Sequence, residues 1–73
     1  MKRFDEKIKL TERELQLLEL LVEGLNNQAI ADKLCISIHT VKAYLESIYR
    51  KFNVHNKIQA LVYAVVNEII VLK

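Results

Sequence analysis

The stretch SIHTVKAYLESIYRKF, residues 37–52, decides the fold. Successive residues of an α-helix are rotated by about 100°, and at that spacing the apolar residues of this stretch fall on one side. That side should face the core, and its members are Val41, Tyr44, Leu45, Ile48 and Phe52. The opposite side is polar or small and should face solvent; its members are His39, Lys42, Ala43, Glu46 and Arg50. The stretch therefore predicts an amphipathic helix with a long polar face.

The helix that comes first in the chain has clear start and stop signals. Thr11, followed three residues later by Glu14, has the pattern of a capping box, in which each residue bonds the backbone N–H of the other. Leu10 and Leu15 are spaced for the hydrophobic staple that accompanies such a box. Gly24 is the only glycine, and it lies where a helix would end in a left-handed turn. These signals predict a helix between Thr11 and Gly24.

Two further helices complete an all-α, four-helix fold. A short second helix is predicted over residues 26–34, with Asn26 as its N-cap. A link of two residues then leads to Ser37, which can cap the amphipathic helix. Asn56 can cap a fourth helix over residues 57–72.

The composition fits one small domain without a metal or cofactor. The chain has 73 residues, is 52% hydrophobic and contains no proline, which argues against disorder. We expect residues 1–9 to form a loose arm and residues 10–73 to form the domain. Cys35 is the only cysteine, so no internal disulfide can form, and with His39 and His55 it makes too small a set for zinc. A lone cysteine without a secretory signal fits the cytoplasm.

Positive charge is concentrated in one third of the chain. The formal net charge is only +2. Residues 37–57 carry four basic residues and one glutamate, whereas residues 1–36 carry six basic and seven acidic residues. A local positive field of this kind is typical of nucleic-acid contact, although an ordinary solvated surface would also account for it.

The two central helices are arranged as in a helix-turn-helix unit, over about residues 26–45. In that layout the second helix enters the major groove of DNA, while the first crosses the phosphate backbone. A small residue, Ala43, would permit close approach to bases, and the flanking hydroxyl and basic groups of Thr40, Ser47 and Lys51 could reach phosphates. Any amphipathic surface helix has one polar face, however, so this pattern alone leaves both interpretations open.

Four segments together resemble the LuxR/GerE family of DNA-binding domains. They are LTERE at residues 10–14, LLVEGLNNQAIADKL at 20–34, ISIHTVKAYLESIYRKFNV at 36–54 and NKIQAL at 56–61. The TVK triplet after Ser37 and the IxxK pattern that follows it are specific in this context. The resemblance covers about residues 10–70.

The resemblance implies a cytoplasmic bacterial transcription factor that binds double-stranded DNA as a dimer, with no small-molecule substrate. Members are often the output part of longer proteins, but the start at Met1 favours a small stand-alone regulator. The resemblance and the polar face of the amphipathic helix together predict the residues that face the bases, which are His39, Lys42, Ala43, Glu46 and Arg50. The backbone candidates are Asn27, Gln28, Ser37, Thr40, Ser47, Lys51 and Lys57.

Several residues depart from the family pattern. Tyr44 stands where histidine is common, Phe52 replaces a usual leucine, and Lys57 replaces a usual arginine. Glu68 stands where glycine is common, so the fourth helix is expected to run further here.

Glu46 is the departure with the largest consequence. Phosphates repel a carboxylate, but a carboxylate can accept a hydrogen bond from the amino group of cytosine. Glu46 could therefore specify a cytosine, weaken binding, or pair with Lys42 or Arg50 one helical turn away. The helical pair is the favoured interpretation.

The fourth helix is apolar on almost every side. It is interrupted by Gln59, Asn67 and Glu68 and is too short for the roughly 20 residues of a membrane span. One stripe should cover the core; its members are Ile58, Leu61, Val62, Val65, Ile69 and Leu72. A second copy of the chain could cover the rest, as could the arm through Phe4 and Ile8. The predicted dimer interface consists of Leu61, Val62, Val65, Val66 and Ile69.

Catalysis is not expected. The sequence has no Gly-rich phosphate loop and no Cys/His pair at catalytic spacing. The alternative function comes from another class: a module with this fold that inhibits or bridges another regulator without binding DNA.

Overall fold

The computed structural model describes residues 9–70, which form four helices joined by short turns. The helices are α1 (Glu12–Val22), α2 (Asn27–Leu34), α3 (Ile38–Phe52) and α4 (Lys57–Val66). The predicted all-α, four-helix fold is confirmed. The arm with Phe4 and Ile8, and Leu72 at the other end, lie outside the described residues. Within the described range, no helix has both the length and the apolar character needed to cross a membrane.

The predicted signals at both ends of α1 are confirmed. The backbone N–H of Glu14 donates to Thr11 Oγ1 at 3.0 Å, and the backbone N–H of Thr11 donates to Glu14 Oε1 at 2.9 Å. Beyond the other end, Gly24 has φ of +99°. The N–H of Leu25 donates to the carbonyl of Leu20 at 3.2 Å, which closes the helix as a Schellman turn does.

A tight turn between α2 and α3 fixes the helix-turn-helix geometry. Cys35 adopts a left-handed conformation with φ of 58°, and the N–H of Ile36 donates to the carbonyl of Ala31 at 3.0 Å. Ser37 Oγ then accepts from the backbone N–H of Thr40 at 3.1 Å and begins α3. With both helix ends bonded in this way, the direction of α3 relative to α2 is set locally.

The helix α3 is the centre of the fold because it packs against each of the other three helices, and more extensively than any other helix does. Its predicted core side is confirmed: Val41 and Ile48 are fully buried, and Leu45 and Phe52 are nearly so. Tyr44, at the edge of this side, is half-buried. The same core contains buried leucines and isoleucine of α1 and α2, among them Leu17, Leu18 and Ile30.

The core side of α4 differs from the sequence prediction. Its buried residues are Ala60 and Ala64, both 0% exposed, whereas Ile58 is 72% exposed and Val62 is 55% exposed. The predicted stripe was therefore wrong at Ile58 and Val62, whereas its members Leu61 and Ile69 are half-buried and do pack against the core. Hydropathy alone cannot choose a face on a helix that is apolar nearly all round. Small side chains let α4 pack closely, and the Tyr63 ring stacks on Phe52 with the ring centroids 4.5 Å apart.

The helix α4 also ends earlier than predicted. It stops at Val66, and the Asn67 side-chain amide donates to the carbonyl of Tyr63 at 2.9 Å. Glu68 has φ of 60°, the left-handed conformation that glycine adopts most easily, and Ile69 N–H donates to the carbonyl of Ala64 at 2.8 Å. The expectation that Glu68 extends the helix was therefore wrong, because this glutamate adopts the turn that a glycine would make.

Candidate nucleic-acid interface

The five predicted base-facing residues lie together on the outer surface of α3. All of them are exposed: His39, Lys42, Ala43, Glu46 and Arg50. At a rise of about 1.5 Å per residue, α3 is roughly 22 Å long, and the major groove of B-DNA is wide enough to admit a helix. The surface thus combines a small residue, Ala43, near its centre with two basic side chains, Lys42 and Arg50, that lie about two helical turns apart.

Glu46 is not paired on this surface. Lys42 and Arg50 are each one helical turn away, but within the described part of the chain Glu46 forms neither an ion pair nor a side-chain hydrogen bond. The favoured helical pair is therefore not formed. The carboxylate of Glu46 is an exposed acceptor between two basic residues.

Two hydroxyl groups lie at the N-terminal end of the same surface. The Ser37 and Thr40 hydroxyl oxygens are 3.0 Å apart and share a hydrogen bond, while Ser37 Oγ also caps the helix. The hydrogen bond between the two hydroxyl groups is exposed to solvent. Serine and threonine hydroxyls are among the groups that contact phosphates in protein–DNA complexes.

The other two flanking residues of α3 are held by α1. Ser47 Oγ donates to Glu14 Oε2 at 2.6 Å, and Lys51 Nζ donates to Glu14 Oε1 at 2.7 Å. Lys51 Nζ also donates to the carbonyl of Lys9 at 2.8 Å. Glu14 is 3% exposed, so this carboxylate is the one buried charge in the described core. We call Glu14, Ser47 and Lys51 the Glu14 network.

The Glu14 network keeps the carboxylate ionised. Burial raises the pKa of Glu14, but hydrogen bonds from Lys51, Ser47 and the Thr11 backbone, together with the positive charge of Lys51, outweigh burial and lower its pKa below 4.5 overall. The ionised carboxylate therefore links the first turn of α1 to the second half of α3. Sequence reasoning found the capping role of Glu14 but missed this network, because Ser47 and Lys51 are 33 and 37 residues away.

The start of α2 supplies the next predicted contacts. Asn26 Oδ1 accepts from the backbone N–H of Ala29 at 2.8 Å and caps the helix. Gln28 Nε2 donates to Asp32 Oδ1 at 3.0 Å along the exposed side. The Oδ1 atom of Asn27 is buried and has no hydrogen-bond partner. The candidates Asn27 and Gln28 thus lie at the helix end whose N–H groups favour an anion.

Lys57, the last backbone candidate, is half-buried at the first position of α4. Asn56 Oδ1 caps this helix by accepting from the Gln59 N–H at 2.9 Å, which confirms the predicted cap. The Gln59 side chain in turn accepts from the His55 N–H at 2.8 Å. These bonds fix the short connection between α3 and α4.

A shallow apolar groove, here the α4 groove, runs along the outer side of α4. Its lining residues are Asn53, Val54, His55, Ile58, Gln59, Val62, Tyr63, Val66 and Asn67. Of the predicted dimer residues, Val62 and Val66 are 55% and 68% exposed. Leu61, Val65 and Ile69 are half-buried.

The fold and this surface define the class of the protein as a helix-turn-helix domain. A family model described as "Bacterial regulatory proteins, luxR family" matches residues 9–64, and the chain belongs to this family.

Three similar proteins illustrate the relationship. The Fimbriae Z protein of Escherichia coli K12 is 43% identical over 61 residues, which are 84% of this chain and 29% of that protein. The transcriptional regulatory protein LiaR of Bacillus subtilis has the same identity and coverage. The crystal structure of the response regulator ChrA, from a heme-sensing two-component system, superimposes with a TM-score of 0.75 at 43% identity over 77% of this chain and 28% of ChrA. The chain thus spans less than a third of the length of these relatives.

Proposed function

We propose that this chain is the DNA-binding domain of a bacterial transcriptional regulator and that it inserts α3 into the major groove of double-stranded DNA. The observation that carries the proposal is the division of α3 into a buried apolar side and an exposed polar side with Ala43 at its centre. Family membership supports the same function. We also propose that the protein is located in the cytoplasm, because bacterial DNA lies in that compartment.

The exposed side chains fall into two groups, those proposed to contact bases and those proposed to contact phosphates. Lys42 and Arg50 can each donate to guanine O6 and N7, and Ala43 lets the helix approach the bases. His39 and Glu46 complete the surface that faces bases. Contacts to phosphate would come from the α2 start and from the α3 flank. The candidates for this role are Asn27, Gln28, Ser37, Thr40, Lys51 and Lys57.

The Glu14 network changes what two flanking residues can offer to DNA. An ammonium group has three N–H donors, and Lys51 uses one on Glu14 and one on the carbonyl of Lys9, so one is free for a phosphate. The hydroxyl of Ser47 has a single donor, which it gives to Glu14. A phosphate contact by Ser47 would therefore require the loss of a 2.6 Å hydrogen bond.

Salt dependence and one pair of variants test the DNA-binding proposal. We expect the affinity for a selected duplex to fall steeply with salt, with a log–log slope of about −0.9 per phosphate contact. Lys42→Ala should weaken binding to that duplex by about 1–3 kcal/mol. Lys33→Ala, which removes an exposed charge at the far end of α2, is the matched control and should have a much smaller effect. A flat salt response, or equal effects of the two variants, would refute the proposal and favour a protein-interaction module.

We also propose that the domain binds DNA as a homodimer through the α4 groove. Val62, Val66 and Ile58 are large apolar residues that α4 leaves exposed, and a two-fold axis would place each groove against its copy. Two half-sites about one helical turn apart on the DNA would follow. Of the interface predicted from sequence, Leu61, Val65 and Ile69 would contribute through their exposed edges.

Sedimentation at micromolar concentration tests the dimer. We expect the unmodified chain to sediment as a dimer and Val66→Asp to sediment as a monomer. Gln16→Asp adds the same charge at an exposed position of α1 and should stay dimeric. A monomeric unmodified chain over this range would refute the dimer while leaving DNA binding untouched.

A further inference from the structure

The carboxylate of Glu46 stands alone in the middle of the surface proposed to face DNA. We propose that Glu46 is a specificity-determining residue that selects a cytosine in the major groove by accepting a hydrogen bond from its N4 amino group. This inference rests on the proposed function and adds to it the identity of one base.

The hydrogen-bond chemistry of the groove restricts what Glu46 can bind. An ionised carboxylate only accepts hydrogen bonds. In the major groove, guanine presents two acceptors and thymine presents an acceptor and a methyl group, so neither can donate to Glu46. Adenine has an N6 amino donor, but its N7 acceptor lies beside that donor and repels a second oxygen of the carboxylate. Cytosine presents only a donor, which makes it the best partner.

The position of Glu46 makes this contact accessible. Ala43, three residues earlier on the same exposed side, has no side chain beyond Cβ that could hold the helix away from the bases. Glu46 is exposed and makes no competing ion pair within the described residues, so no intramolecular bond must break before it reaches a base. Lys42 and Arg50, one turn to either side, can take guanines, whose chemistry is the complement of that of Glu46.

A negative charge on this surface has a second effect, which gives the proposal a distinctive signature. The carboxylate is repelled by phosphates of every sequence, and only a cytosine at the right place offsets that repulsion. Removal of the charge should therefore tighten binding to unrelated DNA and weaken the preference for the selected site. A glutamate that is merely solvated would produce the first effect without the second.

The test compares four forms of the 73-residue chain: unmodified, Glu46→Ala, Glu46→Gln and Glu19→Gln. Glu46 and Glu19 are both exposed, so each variant should fold, which circular dichroism can verify. Glu19→Gln removes the same unit of charge from an exposed position of α1 and controls for the general electrostatic effect. Each form selects duplexes from a random pool, and its affinity is then measured for the selected duplex and for a scrambled one.

We expect the unmodified chain and Glu19→Gln to select the same sequence with a cytosine at one position. Glu46→Ala should lose that preference, with the ratio of selected to scrambled affinity reduced roughly 5- to 150-fold. Glu46→Gln should move the preference toward adenine, which a glutamine amide can bind at N6 and N7. An unchanged cytosine preference in Glu46→Ala would overturn the inference while leaving DNA binding in place. Absence of DNA binding by the unmodified chain would overturn the proposed function and this inference together.

Discussion

Removal of the Glu14 carboxylate is the perturbation that the structure defines best. Glu14→Ala deletes an acceptor that is used by three donors: the Thr11 backbone N–H, the Ser47 hydroxyl and the Lys51 ammonium. It removes half of the capping box of α1 and the only charged link in the described core between α1 and α3. We expect the domain to fold less stably and the second half of α3 to be held less firmly.

The expected loss is about 2–3 kcal/mol of unfolding free energy. Breaking a fully buried ion pair costs about 3–5 kcal/mol, because the remaining charge is left without a partner. The Lys51 side chain is 32% exposed, so water can solvate its charge once Glu14 is removed. We therefore expect a loss below the range for a fully buried ion pair. A domain of this size has a total stability of about 4–11 kcal/mol, at about 0.05–0.15 kcal/mol per residue. The variant should thus lose a substantial part of its stability.

Urea unfolding at a fixed protein concentration measures this loss. With a slope of about 1 kcal/mol/M for a small domain, the midpoint of Glu14→Ala should fall by about 2–3 M. Glu19→Ala removes an exposed carboxylate from the same helix, so its midpoint should change by less than about 0.5 M. Equal midpoints for the two variants would refute the view that the Glu14 network joins α1 to α3.

We expect three further effects on the stability of the fold. The pKa of Glu14 in the folded chain lies below the unfolded value of 4.5, so its charged form stabilises the fold above pH 4.5. The difference in urea midpoint between the unmodified chain and Glu14→Gln should therefore shrink as the pH falls below 4.5, and a constant difference would contradict this. Gly24→Ala should cost about 1–2 kcal/mol, since φ of +99° strains an alanine although the space around it is open, and an unchanged midpoint would count against it. Ala64→Leu should destabilise the fully buried contact of α4 by about 1–3 kcal/mol, whereas Ala43→Leu, the same change at an exposed site outside the α4 groove, should be nearly neutral. Thermal unfolding that ranks the two variants in the opposite order would show that the core side of α4 is misassigned.

Local signals in the sequence predicted much of the fold. The caps at Thr11 and Ser37 and the turn at Gly24 depend on residues within three or four positions of each other, so spacing alone was enough to find them. The two sides of α3 were also predicted correctly, because its polar and apolar residues alternate at a clear helical period.

The predictions failed where a helix has no polar face to contrast with an apolar one, and where residues distant in the sequence come into contact. On α4 nearly every position is apolar, and the buried face consists of Ala60 and Ala64, which hydropathy ranks below the exposed Ile58 and Val62. The end of α4 lacks the glycine that would have announced it, since Glu68 adopts the left-handed conformation instead. For the site, spacing predicted which residues are exposed on α3. It could not predict the Glu14 network, which depends on how α1 packs against α3.

The most direct test of the account is to locate the surface of the domain that touches DNA. Isotope-labelled chain is titrated with a duplex selected from a random pool, and the amide chemical shifts of each helix are followed by NMR. We expect the largest changes on the exposed side of α3, centred on Lys42 and Ala43, with smaller changes at the start of α2 and little change on the exposed side of α1. Changes centred on the α4 groove, with α3 unaffected, would contradict the claim that α3 is the helix that reads DNA.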